Sequence, residues 1–178
     1  VNEMKKLDVP IERDWFFRRM IRTFAKSLEE TVGVSEASGY VALVGSEMGQ
    51  WIESEYQKSA DEDCFGREEV AEMLVDLKRR IGGDFHIVSV DENRIVLGNR
   101  KCPFDELAIG RPSLCQMTSN VFGRITANQL GYARIELEET IAKGHDGCHI
   151  VIHLKPDGDT TPEDQHEFYP QEESCASE

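Results

Sequence analysis

Across its 178 residues the chain has no apolar run near the ~20 residues that a membrane-crossing helix needs. Residues 1–8 are charged and carry no apolar h-region, so a secretory leader is not expected. Positive charge is scarce, with 20 Lys and Arg against 34 Asp and Glu, and the formal net charge is −14. Such a chain repels phosphate backbones and anionic lipid, which argues against direct nucleic-acid or membrane-surface binding. Catalytic signatures are missing as well. There is no Gly-x-Ser-x-Gly elbow and no His-Glu-x-x-His helix. Gly45-Ser46-Glu47-Met48-Gly49 lacks the Gly-Lys-Ser/Thr ending of a phosphate loop. The expectation is a non-enzyme. No Cys-x-x-Cys knuckle occurs, and five cysteines cannot form a complete disulfide set, so a cytoplasmic location with free or metal-bound thiols is expected.

What is present reads as one domain. Phe17, Ile21, Phe24, Leu28 and Val32 recur at helical spacing between residues 11 and 32. A second helix is predicted from Ser35 to about Gln57 with Val41, Val44, Met48, Trp51 and Ile52 on its stripe. Gly39, Gly45 and Gly49 either weaken it or let it pack closely on a neighbour. Val70, Met73, Leu74, Leu77 and Ile81 mark a third helix, with Lys78, Arg79 and Arg80 favouring the negative end of its dipole.

The period then drops to two. Residues 85–90 and 94–97 flank Asp91-Glu92-Asn93 as a hairpin. A fourth helix follows over 113–130, and two strands close the pattern, 132–140 and 148–154. Helix-helix-helix, hairpin, helix, hairpin defines an α+β domain with an antiparallel sheet. The expected organisation is an N-terminal arm (1–10), a single domain (11–155) and a flexible acidic tail (156–178), the last with eight acidic residues and no Lys or Arg.

Three cysteines fall inside the patterned region. Cys102 follows a strand end, Cys115 opens the fourth helix and Cys148 opens the last strand, so all three can meet at one end of the sheet. Their spacing suits either three small buried hydrophobes or three soft metal ligands. Cys64 and Cys175 lie in polar stretches and read as bystanders.

Three stretches resemble a known family: Leu114-Cys115-Gln116-Met117-Thr118 with Gly123, Gly131 to Glu139, and Gly144 to Cys148 before a strand. They resemble vinyl-4-reductase-type sensor domains, and Cys102-Pro103-Phe104 ahead of the helix is most similar to their relative, the methanogen output domain. The resemblance implies a fold shared with haem–nitric-oxide sensors and Golgi tethering proteins. It implies a homodimer, and the N-terminal helices are the expected interface. It also implies coupling of a small-molecule or redox effector to a signalling partner or fused domain.

In aromatic-sensing members of that family a zinc sits on three Cys and a Glu. Cys115, Glu138 and Cys148 match three of those positions. The family's Glu-x-x-Cys is Glu138-Glu139-Thr140-Ile141 here, so Cys102 is the replacement thiolate. Strand alternation sets Glu138 and Cys148 on opposite faces unless the strand bulges, leaving Glu138, Glu139 or His145 as the fourth ligand. Three Cys alone would suit an iron–sulfur cluster instead of zinc. A metal-free dimerisation or interaction module is the alternative. Trp51, His86, Met117 and Phe122 are the candidate ligand-pocket residues. His149 and His153 form a face opposite Cys148, where solvated side chains are expected.

Overall fold

The structure is a computed structural model in which residues 8–156, 165–171 and 175 are described. Most of the N-terminal arm (1–7) and much of the acidic segment (157–164, 172–174 and 176–178) lie outside the described residues. Four helices accompany a five-stranded sheet, α3 and α4 packing on it, α2 on α4 and α1 on α2: α1 (Arg13–Val32), α2 (Val34–Ala60), α3 (Arg67–Arg80) and α4 (Pro112–Leu130). The strands are β1 (Phe85–Val90), β2 (Arg94–Asn99), β3 (Ala133–Glu139), β4 (Cys148–His153) and β5 (His166–Phe168). Sheet order is β1-β2-β4-β3-β5, with every neighbouring pair antiparallel. The expected α+β class and the order of the first eight elements are those observed.

Local signals explain the boundaries. Gly66 caps α3 while Glu69 reaches back to accept its N–H at 2.7 Å, satisfying a helix-start donor that would otherwise be orphaned. Pro112 stands at the first turn of α4, and Gly131, at φ +90°, ends it in the left-handed region. Asp91 accepts from the N–H groups of Asn93 and Arg94, closing the β1–β2 turn.

The core lies between α3, α4 and the sheet, with Leu74, Ile95, Leu97, Phe122, Ile125, Ile135 and Ile152 fully buried. α2 joins through α4. Gly45 and Gly49 face Asn120, Met117, Arg124 and Val121 so closely that a Cβ at Gly45 would stand 2.7 Å from Asn120 Cβ. The glycines therefore serve helix contact, the second of the two roles considered for them.

This seam corrects the expected core stripes. α2 buries Ala37, Val41, Gly45, Gly49, Ile52 and Glu53, whereas Val44, Met48 and Trp51 are exposed. On α1 only Ala25 is buried, and Phe17, Phe24 and Val32 are exposed. Where two glycines bring helices together, the thinnest face of α2 becomes the buried one.

Two further expectations change. The segment expected to be a flexible tail contributes β5, which pairs with β3 and lays the buried Phe168 against Gly123. Cys64 and Cys175, read as bystanders, form a disulfide that closes 111 residues of sequence. The physical reason is the same for both. β5 carries the C-terminal chain back across α4, where Arg124 donates to Tyr169 O (3.0 Å) and the Gln171 N–H donates to Asn128 (3.3 Å).

Candidate functional site: a thiol chamber beside an apolar groove

Cys102, Cys115 and Cys148 border one small cavity of about 30 Å³, as their places at a strand end, a helix start and a strand start suggested. Thr118, Leu137, Thr140 and Phe104 complete its polar and apolar walls. Cys148 Sγ accepts from Asn99 Nδ2 and from the Ile141 N–H, both at 3.5 Å. Burial pushes the Cys102 thiol up, and pushes Cys115 up to about 12, so both are protonated at neutral pH.

The other proposed ligands stand elsewhere. The register of β3 against β4 slips between Leu137 and Glu139, yet Glu138 keeps the outer face of the sheet, its carboxylate 2.5 Å from His149 Nδ1. Glu136 pairs with His153 there at 2.9 Å. Glu139 is exposed, and His145 is exposed with its ring turned to Thr140. Among the described residues no group of three or more His, Cys, Asp or Glu is placed to hold a metal ion. The three sulfurs border the chamber without being grouped around a common ion position, so the donor set as it stands does not fit a closed tetrahedral zinc site.

A larger cavity of about 380 Å³ lies beside the chamber, between α2, α3 and α4. Trp51 and Met117, two of the four candidate pocket residues, line it. Phe122 and His86 do not. Phe122 is fully buried core, edge-on to Phe85 at 5.9 Å, and His86 lies on the sheet's outer face over Gly98, where a side chain at 98 would collide with its ring. Phe104 and Thr118 border both cavities.

Between them stands Lys78, which lines the groove and is 6% exposed. Its Nζ donates to Thr118 Oγ1 at 2.9 Å and sits 5.0 Å from the Phe122 ring and 5.6 Å from that of Phe85. Burial lowers it to about 8, against a smaller upward pull from the three cysteines. Sequence reading assigned Lys78 to the helix dipole. Its position four residues after Leu74 and seven after Ala71, both buried, was the available signal that it points inward.

The loop carrying Cys102 is gripped from outside by α1. Arg18 donates to Pro103 O at 3.1 Å and pairs with Asp105. Arg22 donates to the carbonyls of Leu107 and Ile109. Glu29 accepts from Arg111 at 2.6 Å and from Ser113. Nothing in the periodicity of α1 marks these three residues, because their partners are carbonyls and side chains between Pro103 and Ser113, distant in sequence.

A sheet packed against helices, a cysteine-lined chamber and an adjoining groove define the class: an α+β domain with an antiparallel sheet. The family described as methanogen output domain 1 matches residues 16–153, and the chain belongs to it. Among solved structures, the chain is similar to the phenol-responsive sensory domain of the transcription activator PoxR, crystallised with phenol. That similarity has a TM-score of 0.64 at 16% identity, over 76% of this chain and 73% of that one. No curated protein matches the sequence.

Proposed function

We propose that this chain is a non-catalytic sensor or output domain that binds a small effector in the groove between α2, α3 and α4 and passes the binding state to a signalling partner. One observation carries the reading. The groove and the thiol chamber share Phe104 and Thr118, and the loop containing Phe104 is held by Arg18 and Arg22 of α1. An effector that moves Phe104 therefore pulls on α1. The outer faces of α1 and α2 expose Phe16, Phe17, Phe24, Leu43 and Val44, a surface suited to a second copy of the chain. The sensory domain of PoxR, a transcription activator crystallised with phenol, supports both the effector and the signalling partner by likeness of fold.

Trp51 reports on the groove. Titration with phenol and other small aromatics is expected to change its emission saturably, and Trp51→Phe to abolish the change. An unresponsive Trp51 across such a panel would sink the effector reading.

A second reading concerns the chamber. Convergence of three cysteines favours a soft metal or a redox response there, with Cys102, Cys115 and Cys148 as the sulfur donors. Bound zinc would supply structural support, and an iron–sulfur cluster would supply redox or gas sensitivity. Metal analysis of anaerobically purified protein decides. One zinc or a brown iron chromophore, lost in Cys115→Ser, supports loading. Metal-free protein makes the chamber a packed set of thiols and the chain an interaction module without metal.

A further inference from the structure

The groove ends on a charge that no described residue neutralises. Among the described residues the Lys78 ammonium makes one hydrogen bond, to Thr118, and no salt bridge. An ammonium carries three N–H donors, so two remain without a conventional acceptor. Buried charges are ordinarily paired, because desolvation is otherwise uncompensated. Glu55, which lines the groove, is paired with Lys58 at 2.9 Å, and Asp76 is held by the groove residues Arg80 and Tyr56, each at 2.6 Å. Thr118 Oγ1 accepts from Lys78, and its own O–H has no acceptor among the described residues. An N–H cluster and an O–H thus converge in a mostly apolar space, which Glu55, Tyr56 and Arg80 also line.

We propose that the groove binds small organic acids, with a carboxylate turned inward onto Lys78 Nζ and Thr118 Oγ1 and an apolar body lying against Trp51, Ile52, Leu77, Met117 and Val121. The inference rests on the effector-groove reading and deepens it by naming the ligand class. A carboxylate accepts from both donors and supplies the missing negative charge, which a neutral alcohol or phenol does not. The volume of about 380 Å³ falls in the range of small-molecule sites.

The test is calorimetric titration of the full chain with benzoate and phenylacetate, each compared with its neutral amide, benzamide or phenylacetamide. The acids are expected to bind at least about tenfold more tightly than the amides. Lys78→Met is expected to remove at least about tenfold of the acid affinity while leaving the amides within about twofold. Thr118→Val, which keeps the ammonium, is expected to weaken the acids severalfold, and circular dichroism melts confirm that each variant is folded. Equal binding of acid and amide, or unchanged acid affinity in Lys78→Met, overturns the inference. Amides that bind where acids do not would leave the effector groove standing and remove only the anion. Failure of every probe up to about 10 mM would remove both.

Discussion

Lys78 on α3 and Thr118 on α4 meet at 2.9 Å in a place where one is a buried cation and the other offers only a hydroxyl. A hydroxyl does not repay the removal of an ammonium from water. Lys78→Met, similar in volume and able to keep the contacts with Phe85 and Phe122, is therefore expected to stabilise the ligand-free protein by about 2 kcal/mol at neutral pH. The pH dependence has a definite sign. The unfolded chain holds this proton to about pH 10.5 and the folded chain only to about 8. The penalty is thus complete below pH 8 and fades as pH rises to about 10.5, where variant and wild type converge. Cys102, Cys115 and Cys148 face the same ammonium, while Glu55 and Arg80 stand along the groove, and all five are common to both proteins. Urea melts of the pair at pH 7 and pH 10 therefore isolate Lys78, and a gap that widens with pH would refute the account.

Glycines on α2 separate contact from propensity. At Gly45 a Cβ would stand 3.0 Å from the Met117 carbonyl oxygen as well as 2.7 Å from Asn120, and a helix backbone does not give way cheaply. Gly45→Ala is expected to destabilise by about 1–2 kcal/mol, overpacking outweighing the roughly 1 kcal/mol of helix propensity gained. At Gly39 nothing lies within 4 Å, so Gly39→Ala is expected to stabilise by about 0.5–1 kcal/mol. Denaturant midpoints of the two variants should move in opposite directions.

The contrast between these glycines also shows what periodicity can reveal. The inward stripe of α3 from Val70 to Leu77, the β1–β2 hairpin and the turn from α4 into β3 are written in local spacing, and each is found where that spacing puts it, whereas Ile81, expected on the same stripe, lies past the helix end and is exposed. The meeting of Cys102, Cys115 and Cys148 followed from their positions at element ends. Alternation along β3 already placed Glu138 away from Cys148, and the pairing with His149 agrees. The buried face of α2 was illegible, because large apolar residues outline one stripe while two glycines select another. β5 was hidden by its length of three residues, with Phe168 alone buried, in a segment whose acidity reads as solvated. Lys78 was misread because a basic residue in a last turn suits both the dipole and, rarely, the core.

The Cys64–Cys175 disulfide should govern how firmly β5 holds the sheet edge. It closes 111 residues, for which loop entropy alone gives nearly 5 kcal/mol, and engineered and native bridges commonly deliver about 2–4. Cys64→Ser/Cys175→Ser is expected to lower stability by about that amount. Amide exchange should quicken first at Ala133–Ile135, the β3 residues paired with β5. A mild thiol reductant should reproduce the loss in wild type and add nothing in the double variant. Equal melts for oxidised and reduced wild type would show that the bridge does not anchor the strand.

Whether α1 and α2 meet a second copy is testable through residues that touch little of their own chain. Phe24 and Leu43, each 66% exposed, lie on the outer faces of the two helices, and α1 buries only Ala25. A helix pair that leaves this much aromatic and aliphatic surface in water gains by covering it, at roughly 25 cal/mol per Å² before the cost of association. Phe24→Glu and Leu43→Glu should place charges in that covered face and shift a dimer to monomer at micromolar concentration, read by light scattering behind a sizing column. Each substitution should change the stability of the monomer by no more than about 0.5 kcal/mol, since neither side chain supports the core. Wild-type protein that runs as a monomer at every concentration would refute the interface. Loss of α1 helicity in Phe24→Glu would instead mean that this helix is held by its own chain more than its exposure indicates. Arg18 and Arg22 supply the control: replacing them with Ala should loosen the loop over the thiol chamber and quicken alkylation of Cys102, without altering the mass of the assembly.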